Sequence, residues 1–234
     1  MYTRINNRKK LNIILILLVA VLSACYEDTS MPDDIDFMIN KYPQMEAMYD
    51  EFSSRNLIPE DIDVSYDVAS KEFPSFIQWD KRWGYLTYID SFMAVKGNVP
   101  AAMSSIYSFL TKDTKMNPYE MGKFFEKEKW TIDTMGTTWQ AIEQGSIKLG
   151  LTYSVIENSD IRINDELERG RIILASVNQG DFTEDSGLII IYKKVGNEYY
   201  ISDPLSIENS EKTWSLDKLQ NQMIHLWSFD KQGG

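Results

Sequence analysis

The chain has 234 residues, 43% of them hydrophobic and 12% aromatic, with 35 acidic against 24 basic residues, a formal net charge of −11, one cysteine and one histidine. A surface this acidic repels nucleic acid and anionic lipid headgroups, and a lone cysteine excludes an intrachain disulfide. The length suits one substantial core and is short for two.

Arg4, Arg8, Lys9 and Lys10 give a basic start, followed by an apolar run from Ile13 to Leu22 and then Leu22-Ser23-Ala24-Cys25. This is the layout of a secretory signal. The run is about half of the roughly 20 residues a membrane-spanning helix needs. The last four residues resemble the bacterial lipoprotein box, against the alternative of an ordinary cleaved signal with a cysteine nearby. That resemblance implies removal of residues 1–24 and diacylglycerol (palmitate-type) lipidation of Cys25, which would hold the chain on the extracytoplasmic face of the cell membrane. Each buried methylene contributes about 0.8 kcal/mol, so two acyl chains anchor durably. Cleavage leaves 20 basic against 35 acidic residues, net −15 over 210 residues, and no other thiol. Attachment to the membrane would then come from lipid and not from charge.

Residues 25–36 are acidic and poor in apolar content, which reads as a solvated tether able to reach on the order of 35 Å if extended. Residues 37–73 read as an N-terminal helical extension, with short helices between Phe37 and Phe52 interrupted at Pro43. Within it, Asp61, Asp63, Ser65, Asp67 and Glu72 have the spacing of a calcium loop. Tyr66 stands where such a loop needs glycine, and Pro59 precedes it without an entering helix. An acidic solvated turn is the expectation, with no metal and no cofactor.

From Pro100 the pattern is helical. Met103, Ile106, Tyr107 and Leu110 form one apolar stripe, Asn117-Pro118 opens a second helix with Met121, Phe124 and Phe125 inward, and Thr137 or Thr138 starts a third that Gly150 ends. After Gly150 the period changes. Residues 151–156, 171–177, 187–194 and 198–201 read as strands, with a short helix over 165–169 stopped by Gly170. A last helix is expected from Leu216 to Trp227, carrying Leu216, Leu219, Met223 and Leu226 on one face and His225 in a structural or exposed position. Helices first and an antiparallel sheet later give an α+β domain over 74–230.

Six short motifs then carry a family resemblance: Phe76-Ile-Gln-Trp-Asp-Lys-Arg-Trp-Gly-Tyr85, Gly97-Asn-Val-Pro-Ala101, Gly136-Thr-Thr-Trp139, Gly180-Asp-Phe-Thr183, Gly187-Leu-Ile-Ile190 and Ser202-Asp-Pro204. In order and spacing they resemble the peptidase C-39-like, bacteriocin-processing type of papain-like cysteine peptidase. The resemblance implies a papain-like fold with a nucleophile at the start of a central helix and a base on a neighbouring strand. In the family pattern the nucleophilic cysteine falls on Asn98 and the histidine on Leu188. Gln78, which would support an oxyanion, and Asp203, which would orient the histidine, match it.

Asn98 has no useful nucleophilicity and Leu188 can move no proton, so the resemblance implies an inactive homologue. The expected function is that of a pseudopeptidase binding a peptide or protein partner in its former groove. A hydrolase with relocated chemistry, for example at Ser104 or Ser105, and a purely structural scaffold are the alternatives. Each residue also has a plain role. Asn98 suits a helix cap, Leu188 continues the apolar run to Ile191, Asp203-Pro204 can end a strand, and Gln78 can satisfy buried backbone. The tryptophans Trp79, Trp83, Trp139, Trp214 and Trp227 read as core and cleft-wall aromatics.

Overall fold

Ile35 and Met38 sit three residues apart in an acidic stretch, the spacing that puts two side chains on one helix face. In the computed structural model, which describes residues 32–49, 61–133 and 135–233, both are buried in helix α1 (Asp33–Lys41). The expected tether therefore gives way to a helix by Asp33. Asp33, Asp34 and Asp36 lie in its first turn and Lys41 in its last, which matches the helix dipole. The signal segment, Cys25 and the start of the tether lie outside the described residues. A 3-10 turn (Pro43–Met45) and α2 (Glu46–Tyr49) follow, and α3 (Ser65–Ser70) leads towards the main domain.

A small hairpin, β1 (Thr87–Tyr88) with β2 (Ser91–Phe92), runs into α4 (Met93–Lys96) and then α5 (Asn98–Thr111). Gly97 separates the two helices. A Cβ there would lie 2.3 Å from the Met93 carbonyl oxygen, so this reversal admits only glycine without a shift of backbone. Next come α6 (Pro118–Lys127), the hairpin of β3 (Thr131–Ile132) and β4 (Gly136–Thr137), and α7 (Trp139–Lys148). Asn117 caps α6, its side chain accepting from the Glu120 amide at 3.0 Å. Gly150, at φ +74°, ends the segment after α7 in the left-handed region that favours glycine.

The strands β5 (Leu151–Ile156), β6 (Ile172–Asn178), β7 (Ser186–Val195), β8 (Glu198–Ser202), β9 (Thr213–Trp214) and β10 (Met223–Lys231) make one antiparallel sheet in the order β5-β10-β6-β7-β8-β9. Helix α8 (Asp160–Glu168) lies between β5 and β6 in sequence, and α9 (Ile207–Glu211) and α10 (Leu216–Gln220) flank β9. Alternation along the strands divides the apolar residues between two faces. Leu174, Leu188, Ile190 and Trp227 pack with Met103 and Ile106 of α5, Phe125 of α6 and Ile142 of α7. Ile173, Ala175, Ile189 and Leu226 pack instead with Ile163 of α8 and Leu219 of α10. Each such large side chain removed from water contributes roughly 1.5–3 kcal/mol. The architecture is α+β, with helices preceding and covering an antiparallel sheet.

Two further expected elements differ: the short helix expected over 165–169 begins earlier and spans Asp160–Glu168, and the last helix is cut short. The helix expected over Leu216 to Trp227 stops at Gln220, and the rest is the strand β10, which carries His225. The cause is a bulge: the register with β6 shifts between Met223 and His225. One extra residue lets Met223 and Leu226, three apart, share the same sheet face. In sequence that spacing is indistinguishable from a helical stripe.

Candidate functional site

The N-terminus of α5 and the sheet face beneath it leave a groove of about 640 Å³. Val95, Asn98 and Val99 form one wall, Ser176, Gly187 and Leu188 the floor, and Met135, Trp139 and Ile142 the other wall. The two positions implied by the resemblance as former nucleophile and base, Asn98 and Leu188, therefore line one cavity. Their surroundings differ. Leu188 is 6% exposed and belongs to the core beneath α5. Asn98 does not act as a cap: it is the first helical residue, and its Nδ2 is buried without a partner.

Gln78 and Asp203 are both about 99% buried and neither lines the groove. The Gln78 side chain donates from Nε2 to the Ala94 carbonyl at 2.7 Å, and its backbone amide donates to the Pro204 carbonyl at 2.9 Å. It thus ties α4 to the segment after β8. Asp203 accepts from the Leu205 amide and from the Asn209 side-chain amide, each at 2.8 Å. Burial pushes its carboxyl up to about 6, against the opposing pull of those hydrogen bonds, of the Ser206 amide and of Lys212.

His225, expected in a helix, lies beside the site on a strand, without lining the groove itself. On β10, His225 pairs with Ser176 of β6, and Ser176 pairs with Leu188 of β7. Directly paired residues share a face, so Leu188, Ser176 and His225 form a row across three strands. The imidazole packs 4.8 Å from the Trp139 ring and 4.3 Å from the Trp227 ring, and its Nε2 is buried without a partner. Trp139 stands edge-on to Trp227 at 5.1 Å and remains 48% exposed at the groove wall. The available signal was the period-two series His225, Trp227, Phe229.

Lys96, the charged residue lining the groove, is engaged by the Asp90 carboxylate and the Asp133 carbonyl. Its ammonium joins α4 to the β3–β4 hairpin. Ser104 and Ser105 are fully buried, their hydroxyls donating to the Met116 and Ala101 carbonyls, so neither is presented to a substrate. Three of the calcium-spaced carboxylates are also otherwise engaged. Asp67 pairs with Lys71 and Arg82, Glu72 with Lys193, and Asp63 accepts from the Ser65 amide. Among the described residues no group of three or more His, Cys, Asp or Glu side chains converges as a metal site would require.

No family model matches the chain, and no curated protein does. Solved structures do. The chain is similar to C39 peptidase domains. The peptidase domain of Streptococcus ComA, a bifunctional ABC transporter involved in quorum sensing, is 19% identical over 58% of this chain and 93% of its own, with a TM-score of 0.44. A Bacillus anthracis protein described as C39-like peptidase is 14% identical over 75% of this chain and 100% of its own, at 0.42. The Streptococcus mutans ComA domain bound to a small-molecule inhibitor is 23% identical over 40% of this chain and 73% of its own, at 0.31. These are likenesses of fold; what the site can do rests on its own residues.

Proposed function

We propose that the chain is a lipoprotein, anchored through Cys25 on the extracytoplasmic face of the membrane, whose peptidase C-39-like, papain-type domain is a pseudopeptidase. It holds a peptide or protein segment in the groove between Asn98 and Leu188 without cutting it. The observation carrying this reading is that the cavity between those two positions stays open, at about 640 Å³, although neither side chain can do peptidase chemistry. Cleavage by a papain-type route needs a thiolate and a proton-transferring base. An amide and an isobutyl group supply neither. In triad enzymes, loss of nucleophile or base alone costs on the order of a million-fold in turnover.

The supporting polar groups agree with this. Gln78 donates from Nε2 to the Ala94 carbonyl and the Asp203 carboxylate accepts from the Asn209 side-chain amide, so both have structural partners that need no reaction. The exposed Trp139 and the apolar side chains of Val99 and Ile142 lining the groove favour burial of an apolar ligand side chain. Covalent cysteine- and serine-directed peptidase probes applied to the full chain should leave every groove residue unlabelled, Cys25 lying apart from the groove in sequence. Covalent labelling at a groove residue would overturn the reading.

A second reading rests on one observation, the β6–β10 register that sets the groove residue Ser176 beside His225 on the same face of the sheet. In a hydrolase with relocated chemistry, Ser176 would be the nucleophile and His225 its base. Hydrolysis lost in both Ser176→Ala and His225→Ala would establish it.

A further inference from the structure

A sheet exposes unpaired backbone groups at each edge, and proteins blunt such edges by shortness, charge, proline or bulges. The two edges of this sheet are treated differently. At one, β9 is two residues long and directly follows Glu211 and Lys212. At the other, β5 has six residues, Leu-Thr-Tyr-Ser-Val-Ile, without charge, proline or bulge. Among the described residues it pairs with β10 alone, and its outer backbone edge has no partner. Thr152, Ser154 and Val155 are exposed, Val155 to 55%.

We propose that β5 is a self-pairing edge, through which two copies of this chain join their sheets antiparallel about a two-fold axis. Two features point to a second copy as the occupant. First, a two-fold perpendicular to the sheet keeps each residue on its own face, so opposed residues must have the same parity. Centring the axis on Ser154 sets Ser154 against Ser154, Thr152 against Ile156, and Tyr153 against Val155. The last is an aromatic to β-branched cross-strand pair of the favourable kind. No like charges face each other, although the chain carries a net charge of −11.

Second, the ends of the strand are oppositely charged. At its start Lys231 lies directly opposite Leu151, while Lys148 is engaged by Glu128 and the neighbouring Asp230 by Arg171; the exposed Glu157 and Asp160 lie just past its end. Antiparallel self-pairing brings the basic end of one copy against the acidic end of the other, twice per dimer. A parallel arrangement would oppose like with like. Five or six paired residues per copy bury less than a standard interface, so the association is a weak one.

The test is disulfide trapping in the full chain, with two differently tagged copies co-expressed and exposed to a mild oxidant. The parent chain serves as the control for Cys25, and Thr213→Cys as the control at the β9 edge; maleimide labelling verifies that both introduced thiols are accessible. Ser154→Cys is expected to give a mixed-tag dimer at least five-fold above Thr213→Cys. Adding Val155→Lys, an exposed site whose change leaves the core intact, should return trapping to the control level. Trapping no greater than at Thr213→Cys, trapping indifferent to Val155→Lys, or an adduct containing a different protein would each overturn self-pairing. None of these outcomes depends on what the groove holds.

Discussion

Asp203 offers a quantitative test of how the segment after β8 is held. Its carboxyl is about 99% buried and titrates near 6 instead of the ordinary 3.8, because burial disfavours the charged form by more than its hydrogen bonds and Lys212 favour it. The folded chain therefore binds the proton more tightly than the unfolded chain. Stability from this group is fully present below the unfolded value and is lost as pH rises through about 6. Integrating between these two values gives about 2 kcal/mol lost between pH 4.5 and pH 7, out of a full span of about 3 kcal/mol. Other carboxylates titrate over the same range, so the informative quantity is the stability of Asp203→Asn minus that of the parent, measured by urea unfolding at each pH. The amide carries no charge at any pH in this range, and groups common to both proteins cancel. The difference should move in favour of Asp203→Asn by about 2 kcal/mol from pH 4.5 to 7, roughly 4–8 °C in melting temperature for a domain of this size. A pH-independent difference, or one of opposite sign, would refute the assignment of a buried charge at this position.

Two further outcomes follow from the same geometry. Glu166 is fully buried where α8 meets the sheet, accepting from Arg162, Arg171 and the Ser228 hydroxyl. Removing it takes away the carboxylate that Arg162 and Arg171 share, but both guanidiniums are partly exposed and keep Asp165 and Asp230 as partners, so Glu166→Ala should cost about 1–3 kcal/mol in denaturant unfolding, and no measurable loss would contradict the network. Asn98→Cys places a thiol at the first turn of α5, on the groove. Iodoacetamide should label it, and adding Leu188→His should shift the reactivity profile to lower pH by at least one unit as a thiolate–imidazolium pair forms; an unchanged profile would mean that the two positions do not face each other closely enough.

Much of this architecture was legible in the sequence because its signals were local. The strand at 151–156 is bounded by Gly150 and by the polar run Glu157-Asn158-Ser159, and its alternation has no helical counterpart. The helix from Pro118 is announced by the asparagine cap that the structure contains. The C-terminal error had a specific cause in the bulge between Met223 and His225, which gives a strand the apolar spacing of a helix. That error also concealed the histidine next to the groove, since placing His225 beside Ser176 requires knowing both the strand and its register. Asn98 shows another limit. Asparagine favours a cap in general, but here Gly97 takes the cap position and the Asn98 Nδ2 is left buried without a partner.

The most direct measurement of the central claim incubates the purified full chain with a diverse peptide mixture and weighs, by mass spectrometry, both what is retained and what is released. The account predicts a retained subset rich in apolar residues at unchanged mass, with retention at least ten-fold lower in Trp139→Ala. New fragments accumulating over many turnovers, or retention no higher than in Trp139→Ala, would contradict it.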